Sequence, residues 1–116
     1  LVSPKTVLDK EKGVFTISGN SYMSNPASHY EHILVWLQDY IKNPLPSTLF
    51  VFDLEYINTA TVKMLNEVVR FLISIRETGN IINIEWHYDD DDEDMIELGK
   101  QYEILNKFKF EWKPKT

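Results

Sequence analysis

Two kinds of apolar spacing alternate along this chain, and together they predict an ordered series of strands and helices. Short runs rich in β-branched and aromatic residues predict strands, whereas apolar residues spaced three and four apart predict amphipathic helices. The helical spacing is clearest from Tyr30 to Ile41, which would place one apolar stripe against a core. The predicted strands are 6–8, 14–18, 48–57, 81–88 and 108–112, and the predicted helices are 26–42, about 59–78 and about 92–105.

Residues with special backbone preferences mark the ends of these elements. Asn25 followed by Pro26 is a favoured helix start, and the prolines of 43–46 stop the first helix. Gly13 supplies the positive φ that a turn between the first two strands needs, and Gly79 ends the second helix. Residues 19–25 are predicted to form a polar loop.

The element order β-β-α-β-α-β-α-β predicts a single α/β domain over residues 1–116. Its helical connections are long enough to join parallel strands. The strand at 48–57 is apolar at consecutive positions, which predicts a central strand covered on both faces. We therefore expect a mixed sheet of four to five strands with about three main helices.

Composition narrows the classes of function. The 116 residues are 43% hydrophobic and carry a net charge of -6, which argues against a nucleic acid or an anionic membrane as the partner. There is no cysteine, so disulfides, thiolate nucleophiles and Cys-ligated metals are excluded.

The chain begins with Leu1 rather than Met, so a few native residues are expected to be missing. The sequence contains no recognisable signal peptide. We therefore expect a cytoplasmic protein.

The segment 53–61 is the most informative part of the chain. It leaves an apolar strand and places Asn58, Thr59 and Thr61 where a helix begins. Asn and Thr are favoured helix caps, because their side-chain oxygens accept bonds from unpaired backbone N–H groups. The positive end of a helix dipole also tolerates an added phosphate. The hydroxyls at this corner are therefore candidates for capping and for phosphorylation.

Three blocks of the chain resemble the SiaC family of regulatory phosphoproteins. They are Gly19-Asn-Ser-Tyr22 with Asn25, Tyr56-Ile-Asn-Thr-Ala-Thr-Val-Lys63, and Trp86-His-Tyr88 followed by the acid run 89–94 and Glu97-Leu-Gly99. Their order along the chain is that of the family. The element order is also similar to the STAS, or anti-sigma-antagonist, fold, in which a phosphorylatable Ser or Thr begins the helix after a central strand.

The resemblance implies a phosphorylation switch without enzymatic activity. The family's phosphorylated threonine corresponds to Thr59, and Thr61 is a rival acceptor. The implied partners are a cognate protein kinase, a metal-dependent phosphatase, and a regulated protein such as a diguanylate cyclase, which the unphosphorylated form binds. This would place the chain in cyclic-di-GMP signalling and biofilm regulation. Two departures from the family pattern are Met23-Ser24 in place of Pro-Glu and Ala60-Thr61 in place of Ser-Ser.

Aromatic and polar residues near the loop ends are candidates for partner binding. Exposed aromatic side chains are typical anchors of protein interfaces, and core burial is their alternative role. The acid run 89–94 would either complement the dipole of the third helix or present a charged face to a partner. The candidate partner-binding residues are Tyr22, Tyr56, Asn58, Trp86, His87 and Tyr88.

Two possible metal sites compete with this interpretation, and neither has a complete set of ligands. A calcium loop starting at Asp89 would need Gly at its sixth position and Glu at its twelfth, and this chain has Asp94 and Lys100. His29 and His32 have no indicated third metal ligand. We therefore expect no metal or cofactor.

The alternative function is a small-ligand-binding or catalytic domain that uses His87 with carboxylates such as Asp53 or Glu55. No partnered nucleophile or Gly-rich phosphate loop supports catalysis, so no catalytic residues are assigned. A protein-interaction module without modification is the third possibility.

Overall fold

The computed structural model describes residues 5–21 and 26–115, which form a five-stranded sheet with three helices packed on one face. This confirms the α/β class and the element order predicted from the sequence. The elements are β1 (Lys5–Asp9), β2 (Val14–Ser21), α1 (Pro26–Tyr40), β3 (Ser47–Ile57), α2 (Thr59–Ile73), a short 3-10 helix (Ser74–Thr78), β4 (Ile81–Tyr88), α3 (Glu93–Asn106) and β5 (Glu111–Pro114).

The sheet is mixed and its strands follow chain order, β1-β2-β3-β4-β5. β1 and β2 form an antiparallel hairpin, whereas β2, β3, β4 and β5 are parallel neighbours. Each helical connection therefore advances one strand in the same direction. Because such connections are nearly always right-handed, all three helices are brought to the same face. The carboxyl ends of β3 and β4 consequently meet at one edge of the sheet.

The strand β3 is central, but only one of its faces is covered by helices. Thr48, Phe50, Phe52 and Leu54 are buried, and the positions between them are half-buried or exposed. The prediction that both faces are covered is therefore wrong. Val51, one of the intervening apolar residues, is half-buried and lies in register with Thr16 of β2 and Glu85 of β4. We call this second side of the sheet the open face.

The core between helices and sheet is rich in aromatic contacts. Phe15 on β2 meets the rings of Trp36 and Tyr40 edge-on at centroid distances of 5.0 and 4.9 Å. The Tyr40 hydroxyl shares a 2.8 Å hydrogen bond with the Thr48 hydroxyl, which gives two buried polar groups a partner. The apolar stripe predicted on the first helix thus packs on the sheet.

Several element ends differ from the sequence prediction. β2 continues to Ser21, through a register shift after Gly19, so residues 19–21 belong to a strand and not to the predicted polar loop. The predicted 59–78 helix ends as an α-helix at Ile73 and tightens into the 3-10 helix, before Gly79 at φ 84°. β5 begins at Glu111 rather than at residue 108, because Lys107 adopts a left-handed conformation that delays the strand.

Gly13 has the positive φ, 67°, that was predicted for the hairpin turn. A side chain there would also approach the carbonyl oxygen of Ser47 to 2.9 Å, so the position requires glycine for two reasons. In the part of the chain that the structure describes, no helix combines the length and apolar character needed to span a membrane.

Candidate functional site

The corner between β3 and α2 presents Thr59 to solvent. β3 ends at Ile57, Asn58 is the N-cap residue with extended backbone angles, and Thr59 is the first residue of the helix. Thr59 and the following Ala60 are both exposed. Thr59 is thus accessible in the first turn of the helix after the central strand, at the helix start that the sequence indicated.

Thr61 occupies a different environment from Thr59. It is fully buried, at 0% exposure. Its hydroxyl donates a 2.6 Å hydrogen bond to Oδ1 of Asn58, and its backbone N–H donates to the same oxygen at 3.2 Å. Asn58 therefore caps the helix as predicted, and the hydroxyl of Thr61 is part of the cap.

The acid run begins the neighbouring helix at the same edge. Asp92 is the N-cap of α3 and accepts a 3.1 Å hydrogen bond from the backbone N–H of Met95. Glu93 and Asp94 occupy the first turn, where negative charge is favoured by the helix dipole. Asp92 therefore caps the third helix, and Glu93 and Asp94 complement its dipole, which is one of the two roles expected of the acid run.

A groove of about 220 Å³ lies between the beginnings of α2 and α3 and the end of β3. We call it the acidic-rimmed groove, because apolar side chains line it together with three carboxylates. Tyr56, at 46% exposure, is the one aromatic residue in this lining. Its lining residues are Glu55, Tyr56, Ile57, Val62, Asp92, Asp94, Met95 and Leu98.

Trp86 belongs to the core and not to a partner-binding surface. Only 1% of it is exposed, its Nε1 donates a 3.1 Å hydrogen bond to the carbonyl oxygen of Met95, and its ring stacks on Phe110. The prediction that Trp86 contacts a partner is therefore wrong. Residues on β4 alternate between faces, and Trp86 occupies a helix-facing position.

The other two residues at the end of β4 are half-buried. Nε2 of His87 lies 2.8 Å from a carboxylate oxygen of Glu85 on the open face, and Tyr88 packs edge-on against Trp112. Asp53, a carboxylate suggested as a partner of His87, instead contacts Nζ of Lys115 at 3.1 Å. His87 does not line the acidic-rimmed groove. His87 therefore pairs with Glu85, which the catalytic alternative did not name, and Asp53 is engaged with Lys115.

Histidines on α1 do not form a recognisable metal site. Within residues 5–21 and 26–115 there is no group of three or more His, Asp or Glu side chains arranged to hold a metal ion. Burial lowers the pKa of His29, and the neighbouring His32 lowers it further. Tyr22, a predicted partner-binding residue, and Asn25 lie outside the described residues.

The described residues show another, larger groove of about 550 Å³ at the opposite end of α2. It lies between the ends of α1, α2 and α3, and Leu105 on its rim is 68% exposed. Its lining residues are Ile41, Glu67, Arg70, Phe71, Ile73, Ser74, Glu77, Leu105 and Asn106. It contains none of the residues predicted to be functional.

Sequence reasoning missed the apolar part of the acidic-rimmed groove. Val62, Met95 and Leu98 come from two helices that are separated in sequence, so only the packing of α2 against α3 brings them together. The hydroxyl of Tyr102 helps to fix this packing with a 2.5 Å hydrogen bond to the carbonyl oxygen of Val62. The available sequence signal was the apolar spacing that follows the acid run on α3.

The fold and site define a small α/β domain with an exposed threonine at the start of the helix after its central strand. The model of the SiaC family, described as SiaC family regulatory phosphoprotein, matches residues 2–115. The chain therefore belongs to the SiaC family. A curated relative, Uncharacterized protein PA14_02130 of Pseudomonas aeruginosa (strain UCBPP-PA14), is 22% identical over 102 residues, covering 88% of this chain and 81% of the relative.

Solved structures share the fold. A chain in the crystal structure of the diguanylate cyclase SiaD in complex with its activator SiaC, from Pseudomonas aeruginosa, matches with a TM-score of 0.86 and 21% identity, covering 97% of this chain and 92% of that one. Apo-SiaC from the same organism matches with a TM-score of 0.80 and 19% identity, covering 98% and 91%. These likenesses confirm the α/β architecture.

Proposed function

We propose that this chain is a phosphorylation-switched regulator in which Thr59 is the phosphate acceptor. The observation that carries the proposal is the contrast between the two candidate hydroxyls. Thr59 is exposed in the first turn of α2, whereas Thr61 is buried and bonded to Asn58. A kinase must bring a hydroxyl into its own active site, so the accessible threonine is the better substrate.

The regulated partner in this proposal is a diguanylate cyclase, bound by the unphosphorylated form. Membership of a family of regulatory phosphoproteins supports the switch. The fold shared with the SiaC activator of a cyclase supports the choice of partner. A cognate kinase and a metal-dependent phosphatase complete the proposed cycle, which would operate in the cytoplasm as part of cyclic-di-GMP signalling.

The switch would act through charge at the helix start. A phosphothreonine carries about -1.5 to -2 charges at neutral pH. Glu55 is exposed near the end of β3, and the acids of α3 begin at the same edge of the sheet. A partner that packs apolar surface on this corner would displace water from the phosphate. This desolvation costs free energy, and the nearby carboxylates give the phosphate no compensating positive charge.

The roles of the predicted contact residues differ in this proposal. Tyr56 is exposed and would contact the partner directly. Asn58 would act by positioning the corner, because its side chain accepts the bonds from Thr61. His87 and Tyr88, both half-buried, stay predictions as contact residues, as does Tyr22.

The test is to incubate the chain with its cognate kinase and ATP and to locate the phosphate by intact-mass and fragment-ion measurements. We expect one phosphate on Thr59, none on Thr59→Ala, and normal phosphorylation of Thr59→Ser and Thr61→Ser. Titration against the cyclase should then show tight binding of the unphosphorylated form only. Phosphate on Thr61, or equal binding of both forms, would contradict the proposal.

A further inference from the structure

The larger groove, of about 550 Å³, lies at the opposite end of α2 from Thr59, and we call it the far groove. Ile41, which follows α1, and Phe71 on α2 are half-buried and give the groove apolar surface. Leu105, near the end of α3, stands on its rim with 68% of its surface exposed. The far groove is thus a concave apolar surface that can receive side chains of another molecule.

The apolar surface continues beyond the far groove onto the end of α3. Ile104, the residue before Leu105, is 76% exposed. In the part of the chain that the structure describes, Ile104 and Leu105 are the two most exposed of the large hydrophobic side chains. A single exposed apolar residue needs no explanation, whereas an apolar pair beside an apolar groove is typical of a surface that another protein covers. The end of α3 and the far groove are therefore treated as one surface.

The charged residues of the far groove have both signs. Arg70 on α2 and Glu77 on the 3-10 helix line it, and both are exposed. Nη1 of Arg70 contacts a carboxylate oxygen of Glu67 at 2.9 Å within the same helix. A guanidinium carries five N–H donors, and the contact with Glu67 uses Nη1 alone. Arg70 can therefore bind a second carboxylate while it keeps the first.

This combination of features is self-complementary. In a dimer with twofold symmetry the same surface of both copies meets, so each feature must face its complement on the other copy. The exposed Leu105 of each copy can enter the apolar groove of the other. Arg70 of each copy can pair with Glu77 of the other, whereas a surface with charges of one sign would repel its own copy. A second copy of this chain therefore fits both the apolar and the charged parts of the surface.

We propose that the far groove is the interface of a symmetric dimer of this chain. Leu105 of each copy packs against Phe71 of the other, and two equivalent ion pairs between Arg70 and Glu77 fix the orientation. The 15 residues of α2 span about 22 Å, and Thr59 lies at the end away from the interface. Both Thr59 corners therefore stay accessible in the dimer, which goes beyond the proposed function and does not depend on it.

Analytical ultracentrifugation of the unmodified chain tests the dimer. From about 5 to about 500 µM, a range that covers weak protein contacts, we expect the mass to rise from one chain to two. Leu105→Glu should stay a monomer throughout. Val35→Glu is the matched control, because Val35 is 58% exposed on α1 but does not line the far groove, and it should dimerise like the wild type. A monomeric wild type, or equal loss in both variants, would overturn the proposal.

Charge reversals test the twofold geometry. Arg70→Glu and Glu77→Arg each place like charges opposite one another in the dimer, so each alone should weaken self-association about tenfold. When the two variants are mixed, both contacts again join a carboxylate to a guanidinium. The mixed dimer should therefore form about as tightly as the wild type. Fluorescence energy transfer between differently labelled variants measures this, and no preference for the mixed dimer would overturn the proposed contacts.

The variant Thr59→Glu separates the dimer from the switch. It should dimerise as tightly as the wild type, because the added charge lies at the other end of α2. Loss of the dimer in this variant would place the interface at the Thr59 corner and overturn the proposal. If the wild type stays a monomer but phosphorylation still releases the cyclase, the dimer fails and the switch stands. If the dimer forms but both forms bind the cyclase equally, the switch fails and the dimer stands.

Discussion

The hydroxyl of Thr61 donates a 2.6 Å hydrogen bond to the side-chain oxygen of Asn58. This contact gives the two threonines of the corner separate roles. Thr61 is buried and completes the cap of α2, whereas Thr59 is exposed. The family motif at residues 56–63 thus contains one threonine with a structural role, Thr61, and one that solvent can reach, Thr59. The difference between them can be measured through stability alone.

Thr61→Ala should lower the free energy of unfolding by about 1–2 kcal/mol, because it removes a buried hydroxyl and leaves Asn58 with one bond fewer. Thr59→Ala should change it by about 0.5 kcal/mol or less, as is usual for exposed positions. Urea unfolding of both variants checks this. Equal losses would show that Thr59 also contributes to the cap.

The coupling between Asn58 and Thr61 can be isolated with a double-mutant cycle. Asn58→Ala alone should cost about 1 kcal/mol as a lost N-cap. The double variant Asn58→Ala/Thr61→Ala should lose less than the sum of the single losses, because both remove the same hydrogen bond. Additive losses would mean that the contact contributes nothing to stability.

Acidic substitution of Thr59 should separate folding from binding. Thr59→Glu places a carboxylate in the first turn of α2, where the helix dipole favours it by about 0.3–1 kcal/mol. The domain should therefore remain as stable as the wild type, while binding of the cyclase weakens about tenfold or more. Thr59→Gln is the matched neutral control and should bind normally. Loss of binding in both variants would point to side-chain size rather than charge.

Local sequence signals predicted most of the fold correctly. The helix starts at Asn58 and Asp92 and the stop at Gly79 depend on side chains or backbone preferences at those positions, so sequence indicates them directly. The lengths of the helical connections indicated parallel strand pairs, and the sheet contains them. The sequence did not indicate how β3 is covered, because a central strand with one open face and a strand covered twice can both be apolar at consecutive positions.

The candidate site was only partly predictable for a related reason. Thr59 and Tyr56 are neighbours of the capping signal, and they are exposed as the partner-surface hypothesis requires. Trp86 was misassigned because a strand end carries residues of both faces, and sequence alone did not tell which side holds the helices. The groove joins Val62 to Leu98 through tertiary packing, and no local pattern encodes that contact.

Gly99, part of the third family block, has a packing role that predicts the effect of a small substitution. A Cβ atom there would lie 2.7 Å from ring atoms of both Trp86 and Trp112, so α3 would have to move away from the sheet. Gly99→Ala should destabilise the domain by about 1–3 kcal/mol, although alanine is the better helix former by about 1 kcal/mol. Thermal and urea unfolding measure this.

The control for Gly99→Ala is Lys100→Ala, an exposed position on the same helix, which should change stability by about 0.5 kcal/mol or less. Indole fluorescence adds a local readout, since Trp86 is held by Met95 and Phe110 and should change its emission when α3 shifts. A Gly99→Ala variant more stable than the wild type would mean that the helix can accommodate the methyl group freely.

The buried side chain of His29 leads us to expect that the domain loses stability in mild acid. Its Nε2 atom is buried and no described residue offers it a hydrogen bond, so a proton there would leave a buried N–H without an acceptor. Burial, and then the nearby His32, lower the pKa of His29 below its ordinary value of 6.5. The unfolded chain therefore binds the proton more tightly than the folded chain does.

The sign of the pH effect follows from this difference. Above pH 6.5 His29 is mostly neutral in both states, and its contribution to stability is fully present. As the pH falls below 6.5, protonation of the unfolded state draws the equilibrium toward unfolding. The free energy of unfolding should thus decrease between pH 7.5 and pH 5.

In His29→Gln this decrease should be smaller, because the titrating group is gone. His32→Gln should reduce it only slightly, since burial is the larger cause of the lowered pKa. Urea unfolding across this pH range makes the comparison, and equal pH dependence in the wild type and His29→Gln would contradict a role for His29.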